Sequence, residues 1–399
     1  MTPILPEDAE ACVVVFWHHE WDCPAYQIYS GMLFGLPAAV TAFNRFSGIC
    51  EMLSRRLVAV PLSMYFDDAN FQDWESAKGS AQEAVNRLMT CIGSPFADAK
   101  RQHMAKTADF LGLEHDMANV LTQGEVKFWP RTRLREKLDE MVGEAIKTQR
   151  LQPGTASKLF GLMNFMNTGH YGRLGRSALR SIKDRQYESS SLLTDDIVSS
   201  FEAMAAVLRL KPTRIVELRT PCIERFAGAS DAAYENGVGT GEYLYLLCTD
   251  GVWHKRTRRC CRVPGSFYEY WEHRETYIVQ LELLMVYIAV ISEGATLRGK
   301  RGIWYIDNVA ALMALVRGTS DNPDLNRIAG AIHSALFALK AWVYFVWVES
   351  EANWSDGVSR LGRSCDWAKK HNFALGGIRF PHLLLSLPAL PVMLVAQYL

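Results

Sequence analysis

Apolar and polar positions alternate in three different ways along this chain. To about Asn119, short strand-like runs (CVVVFW, RLVAVPLSMYF) are interrupted by one helical stretch, Trp74 to Cys91. From about Leu121 to Glu188, apolar residues recur at helical spacing (Leu159, Leu162, Phe165, Met166) among many lysines and arginines, Lys137, Lys147, Arg150, Lys158 and Arg185 included. A Ser-rich turn then precedes one more helix, Asp195 to Leu210. From near Arg214 three strand-like runs follow, CIERFAGAS, GEYLYLLCT and VWHKRTRRCCRV, each bounded by Gly, Asp or Pro. A long apolar helix, roughly Glu272 to Glu293, leads to a short buried strand, GIWYI. A helix from Asn308, another from about Leu325 to Lys340, and a last strand, VYFVWVES, complete the series. Three strands, helix, strand, helices, strand predicts a mixed α/β domain on a five-stranded sheet.

With 399 residues, 49% of them apolar and 22% charged, the chain has the makings of two or three globular domains. The textures divide it at 1–119, 120–213 and 214–363, with a tail at 364–399. Acids and bases balance at 43 each, so a nucleic-acid partner would be held by local basic patches and not by a global field. Nine scattered cysteines without a CxxC pair point to reduced thiols in a reducing, intracellular compartment. Glu7, Asp8 and Glu10 precede the first apolar run, unlike a secretory leader. The apolar stretch Leu383 to Ala396 is shorter than a bilayer span and is broken by Pro388 and Pro391, so no membrane partner is expected.

Four acids of the last region come from four different elements. Asp231 (SDAA) ends the first strand, and Glu282 (QLELL) lies on the apolar side of the long helix. Asp307 (YIDN) ends the buried strand, and Asp356 (ANWSDGVSR) follows the last one. Each has an ordinary explanation on its own: a helix glutamate is usually solvated, and an aspartate before a helix is usually its N-cap. Their joint order is different, because strand ends on one sheet edge bring carboxylates together, and clustered carboxylates repel unless a cation sits among them. Two-metal phosphodiester hydrolysis needs such a cluster.

That order resembles the ribonuclease H domains of retrotransposons, DIRS-like elements in particular, over about Arg214 to Arg363. The resemblance implies that Asp231, Glu282, Asp307 and Asp356 are catalytic and hold two Mg²⁺ ions (Mn²⁺ being the alternative) to cut the RNA strand of an RNA–DNA hybrid. Many relatives carry a histidine shortly before the last acid. Here His333 stands one helix earlier and reads as a packed helix residue.

Tyr65-Phe66-Asp67-Asp68 follows an apolar run, with MLFGLPAAVTAFNR upstream and SPFADAKRQHMAKTADFLGL downstream. These three segments resemble a reverse-transcriptase palm. By that resemblance, Phe34 and Gly35 belong to a loop that contacts template and nucleotide. Asp67 and Asp68 would bind metal and act in catalysis, Lys100 belongs to a lysine region, and Phe110 to Gly112 form the primer grip. The earlier palm aspartate and the fingers have no counterpart, because Asp8 and Asp22 stand in the wrong contexts. The expectation is an N-terminally truncated palm without polymerase activity, followed by a helical thumb or connection over 120–213.

Among other candidates, Cys12, His18, His19 and Cys23 fit no zinc-finger spacing. GVGTGE (Gly237 to Glu242) lacks the context of a dinucleotide loop and reads as a hairpin turn. Lys255, Arg256, Arg258 and Arg259 form a basic third strand expected to touch a nucleic-acid backbone. The expected function is therefore a ribonuclease H-type endonuclease with a vestigial palm, against an inactive remnant or a simple nucleic-acid-binding module.

Overall fold

A computed structural model describes residues 12–29, 31, 37–170, 172–209, 213–218, 224–356, 366–375 and 378, together with Glu7 and Glu10. Phe34, Gly35, Asp8 and the apolar stretch Leu383 to Ala396 lie outside the described residues. The chain divides into two compact units, Met1–Leu111 and Gly112–Leu399.

The first unit holds the antiparallel pair β1 (Val13–His18) and β2 (Cys23–Ile28), helix α1 (Pro37–Leu57), the hairpin β3 (Leu62–Tyr65) and β4 (Asp68–Phe71), helix α2 (Ser80–Cys91) and strand β5 (Thr107–Phe110). The helix expected from Trp74 starts only at Ser80, because Lys78 and Gly79 take left-handed backbone that ends a short 3₁₀ turn. Cys50, Leu62, Val85 and Met89 form its small core. Glu51 braces that core by accepting the Met64 N–H at 2.6 Å.

The second unit begins with antiparallel β6 (Leu113–Asp116), β7 (Glu125–Pro130) and β8 (Arg214–Glu217), the last two joined by a helical insertion. That insertion contains α3 (Thr132–Thr148), α4 (Pro153–Met166), α5 (Arg180–Arg185) and α6 (Asp195–Arg209), packed around Leu138, Leu159, Met163, Ile182 and Phe201. Lys137, Lys147, Arg150 and Lys158 are exposed on it. Arg185 is buried instead, donating to the carbonyls of Ser190 and Leu192 and pairing with Glu188 at 3.1 Å.

The remainder is the mixed α/β layer. Strands β9 (Arg225–Glu235), β10 (Val238–Thr249) and β11 (Val252–Arg262) form an antiparallel meander. Helices α7 (Ile278–Ser292) and α8 (Gly294–Leu297) carry the chain to β12 (Arg301–Ile306), parallel to β9. Helices α9 (Val309–Arg317) and α10 (Pro323–Ala338) carry it to β13 (Trp342–Trp347), parallel to β12. After helix α11 (Asp366–Lys370), the two-residue strand β14 (Ala374–Leu375) extends the expected five-stranded sheet on the β11 edge, giving the order β13-β12-β9-β10-β11-β14.

Helix α7 packs against both the sheet and α10, and every residue from Gln280 to Val290 is buried, hence its nearly all-apolar sequence. The GVGTGE run serves that contact and is not the turn expected of it. The turn is Asn236–Gly237, both at positive φ, and the run continues as β10. Its Gly239 and Gly241 lie against Leu281 and Met285, so any side chain there would push the helix off the sheet.

Among the described residues no helix is long and apolar enough to cross a membrane, and the cysteines are free thiols.

His170, 2% exposed, lies 3.1 Å through Nδ1 from Asn167 Oδ1. Burial, and then the Arg135 guanidinium, holds its imidazole down to about 4 from an ordinary 6.5. Between those values the unfolded chain binds the proton and the folded one does not, so stability present above pH 6.5 is lost as pH falls towards 4. This group's share is about 3 kcal/mol. Denaturant melts at pH 7 and pH 4.5 should show His170→Gln losing less stability over that interval than the wild type.

Candidate metal centre

Asp231 lies inside β9 and not at its end as expected, because the hairpin carries the strand on to Glu235. Strand β12 stops pairing with β9 at Tyr305 and Ala229, so Asp231 sits just beyond the point where its neighbour leaves the sheet. Asp307 follows β12 directly. It is not the cap of the next helix, since Asn308 takes that role through Oδ1, which accepts the Ala311 N–H at 3.1 Å. Glu282 is in the first turns of α7, where its Oε1 accepts the Ala232 N–H at 3.2 Å.

One oxygen from each of Asp231, Glu282 and Asp307 lies within 4.8 Å of the other two. Asp231 is 5% exposed, Glu282 is 2% exposed, and Asp307 is half-buried. Glu282 Oε2 is buried with no hydrogen-bond partner. Burial first, then the charges of Asp231 and Asp307, push the Glu282 carboxyl well above the usual carboxylate range. A desolvated oxygen that lacks a donor and faces two more acids is expensive to keep unless a cation takes it up. The donors are all hard carboxylate oxygens. An octahedral ion with bonds of about 2.1 Å spans oxygens about 3 to 4 Å apart, so the set fits Mg²⁺ or Mn²⁺.

Asp356 is not a member of that group, although its backbone is tied close by. It is half-buried, and its N–H donates to the Asn353 carbonyl at 3.2 Å. The Asn353 amide in turn donates to the carbonyl of Ser230, the residue before Asp231, at 3.1 Å.

The basic third strand faces two different surroundings. Arg258 is 4% exposed and lies 3.7 Å from Glu242, itself fully buried and directly across from Asp231 in the β9–β10 register. Arg259 donates to Glu293 at 2.6 Å beneath the end of α7, where Tyr243 and Tyr245 also donate. Arg258 and Arg259 thus lie beside buried acids of the same domain. Lys255 and Arg256 stand opposite Leu247 and Leu246 in the ladder. Glu242 was not singled out from sequence. The available signal was an acid standing among the small and aromatic residues of GTGEYLY.

In the first unit, Phe66 and Asp67 make the two-residue turn between β3 and β4, with Phe66 at positive φ, and Asp67 and Asp68 are exposed. Lys100 is exposed in a 3₁₀ turn, and half-buried Phe110 ends β5. Gly112 opens the second unit, where a side chain would strike the Phe165 ring at 2.9 Å.

No family model matches the chain, and no curated protein does. Among solved structures, the foamy viral protease-reverse transcriptase in complex with RNA/DNA hybrid is similar at 13% identity and a TM-score of 0.43. That match covers 87% of this chain and 42% of that one. A second foamy viral protease-reverse transcriptase structure, in complex with double-stranded DNA, gives 13% identity and a TM-score of 0.40, covering 87% and 54%. Ribonuclease H1 from the halophilic archaeon Halobacterium salinarum NRC-1 gives 16% identity and a TM-score of 0.23, covering 31% and 86%. At these values none of the likenesses assigns a function.

The buried acid makes a signed prediction for the metal-free protein. A carboxyl raised by folding keeps its proton in the native state after the unfolded chain has lost it, near pH 4.3. Stability therefore falls as pH rises above that point. Scanning calorimetry at pH 5 and pH 8 should show the stability of the wild type relative to Glu282→Gln falling as pH rises. Only the wild type should gain in Tm when Mn²⁺ is added at pH 8.

Proposed function

We propose that the region 214–363 is a ribonuclease H-type endonuclease that hydrolyses the RNA strand of RNA–DNA hybrids. The observation that carries this reading is the meeting of Asp231, Glu282 and Asp307, from three separate elements, around a buried and unpartnered glutamate oxygen. In this proposal these three acids and Asp356 hold Mg²⁺, with Mn²⁺ as a substitute. The bound ions would supply an activated water and neutralise charge at the phosphate.

The chain's own residues do the rest. Asp231 and Asp307 keep fixed positions because one is locked in the sheet and the other stands between β12 and the capped start of α9. Glu282 gives up its proton as metal binds, so affinity rises with pH. Exposed lysines and arginines of α3 and α4 suit phosphate contacts without sequence preference. Preference for a hybrid would rest on helix shape and 2′-hydroxyl contacts.

Among the described residues, Asp67 and Asp68 belong to no group of three metal-ligating side chains. The proposal concerns the chemistry of the hydrolytic centre. The segment 1–119 is proposed as palm-like and 120–213 as a helical connection.

Incubating the purified chain with an RNA–DNA hybrid labelled on the RNA, in Mg²⁺, should give internal RNA cuts that EDTA stops. Asp307→Asn should lower the rate by more than about 100-fold at unchanged fold. Absence of metal-dependent cleavage, or cleavage indifferent to Asp307→Asn, would leave the chain a binding protein at most.

A further inference from the structure

The fourth acid is carried by a segment that the rest of the site holds unusually well. Strand β12 pairs with β9 only as far as Tyr305 and Ala229, and the next β9 residue is Ser230. Its carbonyl accepts the Asn353 Nδ2–H at 3.1 Å, so a side-chain amide continues the ladder where the strand has left. Asn353 Oδ1 accepts from both the N–H and the hydroxyl of Ser355, at 3.2 and 2.7 Å, and its carbonyl accepts the Asp356 N–H. Ser230 and Ser355 are fully buried, and Asn353 is 6% exposed. A second grip comes from Trp354, whose ring lies 5.4 Å from that of Tyr305 on the strand leading to Asp307. The segment is thus fastened to the strand of one acid by hydrogen bonds and to the strand of another by an aromatic contact.

We infer that Asn353 is a positioning residue that holds the segment bearing Asp356 beside the strand of Asp231 and so tunes the metal affinity of the centre. A buried amide with each of its groups engaged has one workable orientation, and one donor bond to Ser230 transmits that orientation to Asp231's neighbour. Asn353 would touch neither metal nor substrate and would act through Asp356 alone. This rests on the metal-centre reading proposed above.

Four versions of the full chain test it: wild type, Asn353→Ala, Asp356→Asn and the double variant. Each is titrated with Mn²⁺ by calorimetry, and its hybrid cleavage is followed against Mg²⁺ concentration. Asn353→Ala should bind Mn²⁺ roughly 10- to 100-fold more weakly and need correspondingly more Mg²⁺ for half-maximal cleavage. In the Asp356→Asn background the same change should add less than about twofold, because residues acting as one unit are not additive. If Asn353→Ala does not fold, Ser355→Ala, which removes one hydroxyl from the same network, carries the test, with a smaller loss in the same direction. Unchanged metal affinity in the variant, or an equal loss in both backgrounds, overturns the inference. A wild type that binds no Mn²⁺ overturns the metal centre itself, and the role of Asn353 with it.

Discussion

Three carboxylates pressed together under a helix set the terms for the rest of this structure. Their mutual repulsion, aggravated for Glu282 by burial, works against folding unless something outside the chain relieves it. The surroundings make retreat impossible. Glu282 is fixed by a helix buried along most of its length, Asp231 by a strand paired through the site, and Asp307 by the junction between a buried strand and a capped helix. Like charges fixed so firmly cost stability, and on the proposed reading they form a binding site ready for its cation.

Buried acids elsewhere in the domain show the contrast. Glu293 receives Tyr243, Tyr245 and Arg259. Asp324 is fully buried too, but it accepts from Arg327 and from the Glu272 N–H. These acids are supplied with donors or cations by the chain itself. Glu282 has a single backbone donor on one oxygen and none on the other. That difference in supply is what supports the proposal that Glu282 serves an external cation.

Much of this was legible in sequence, for physical reasons. Element order follows from hydrophobic period, and α7 was readable because a helix covered on two sides must be apolar nearly all round. Asp307 was placed correctly because a buried strand followed by an N-cap leaves few positions for an acid. What escaped depends on partners distant in the chain. The glycines before Glu242 suggest a turn by local chemistry, yet they exist to admit Leu281 and Met285 some forty residues on. Arg258 and Arg259 look like an exposed basic stripe until Glu242 and Glu293 come to lie beneath them. Asn353 bonds to a carbonyl 123 positions earlier, and no spacing rule reaches that far.

The central claim is that Asp231, Glu282 and Asp307 take up a hard divalent cation. Crystals soaked in Mn²⁺ and measured near its absorption edge test this most directly. The account predicts an anomalous peak within bonding distance of all three carboxylates, absent from Asp307→Asn crystals treated alike. A clean wild-type map with no peak among these acids, at Mn²⁺ concentrations that saturate ordinary carboxylate sites, would contradict it.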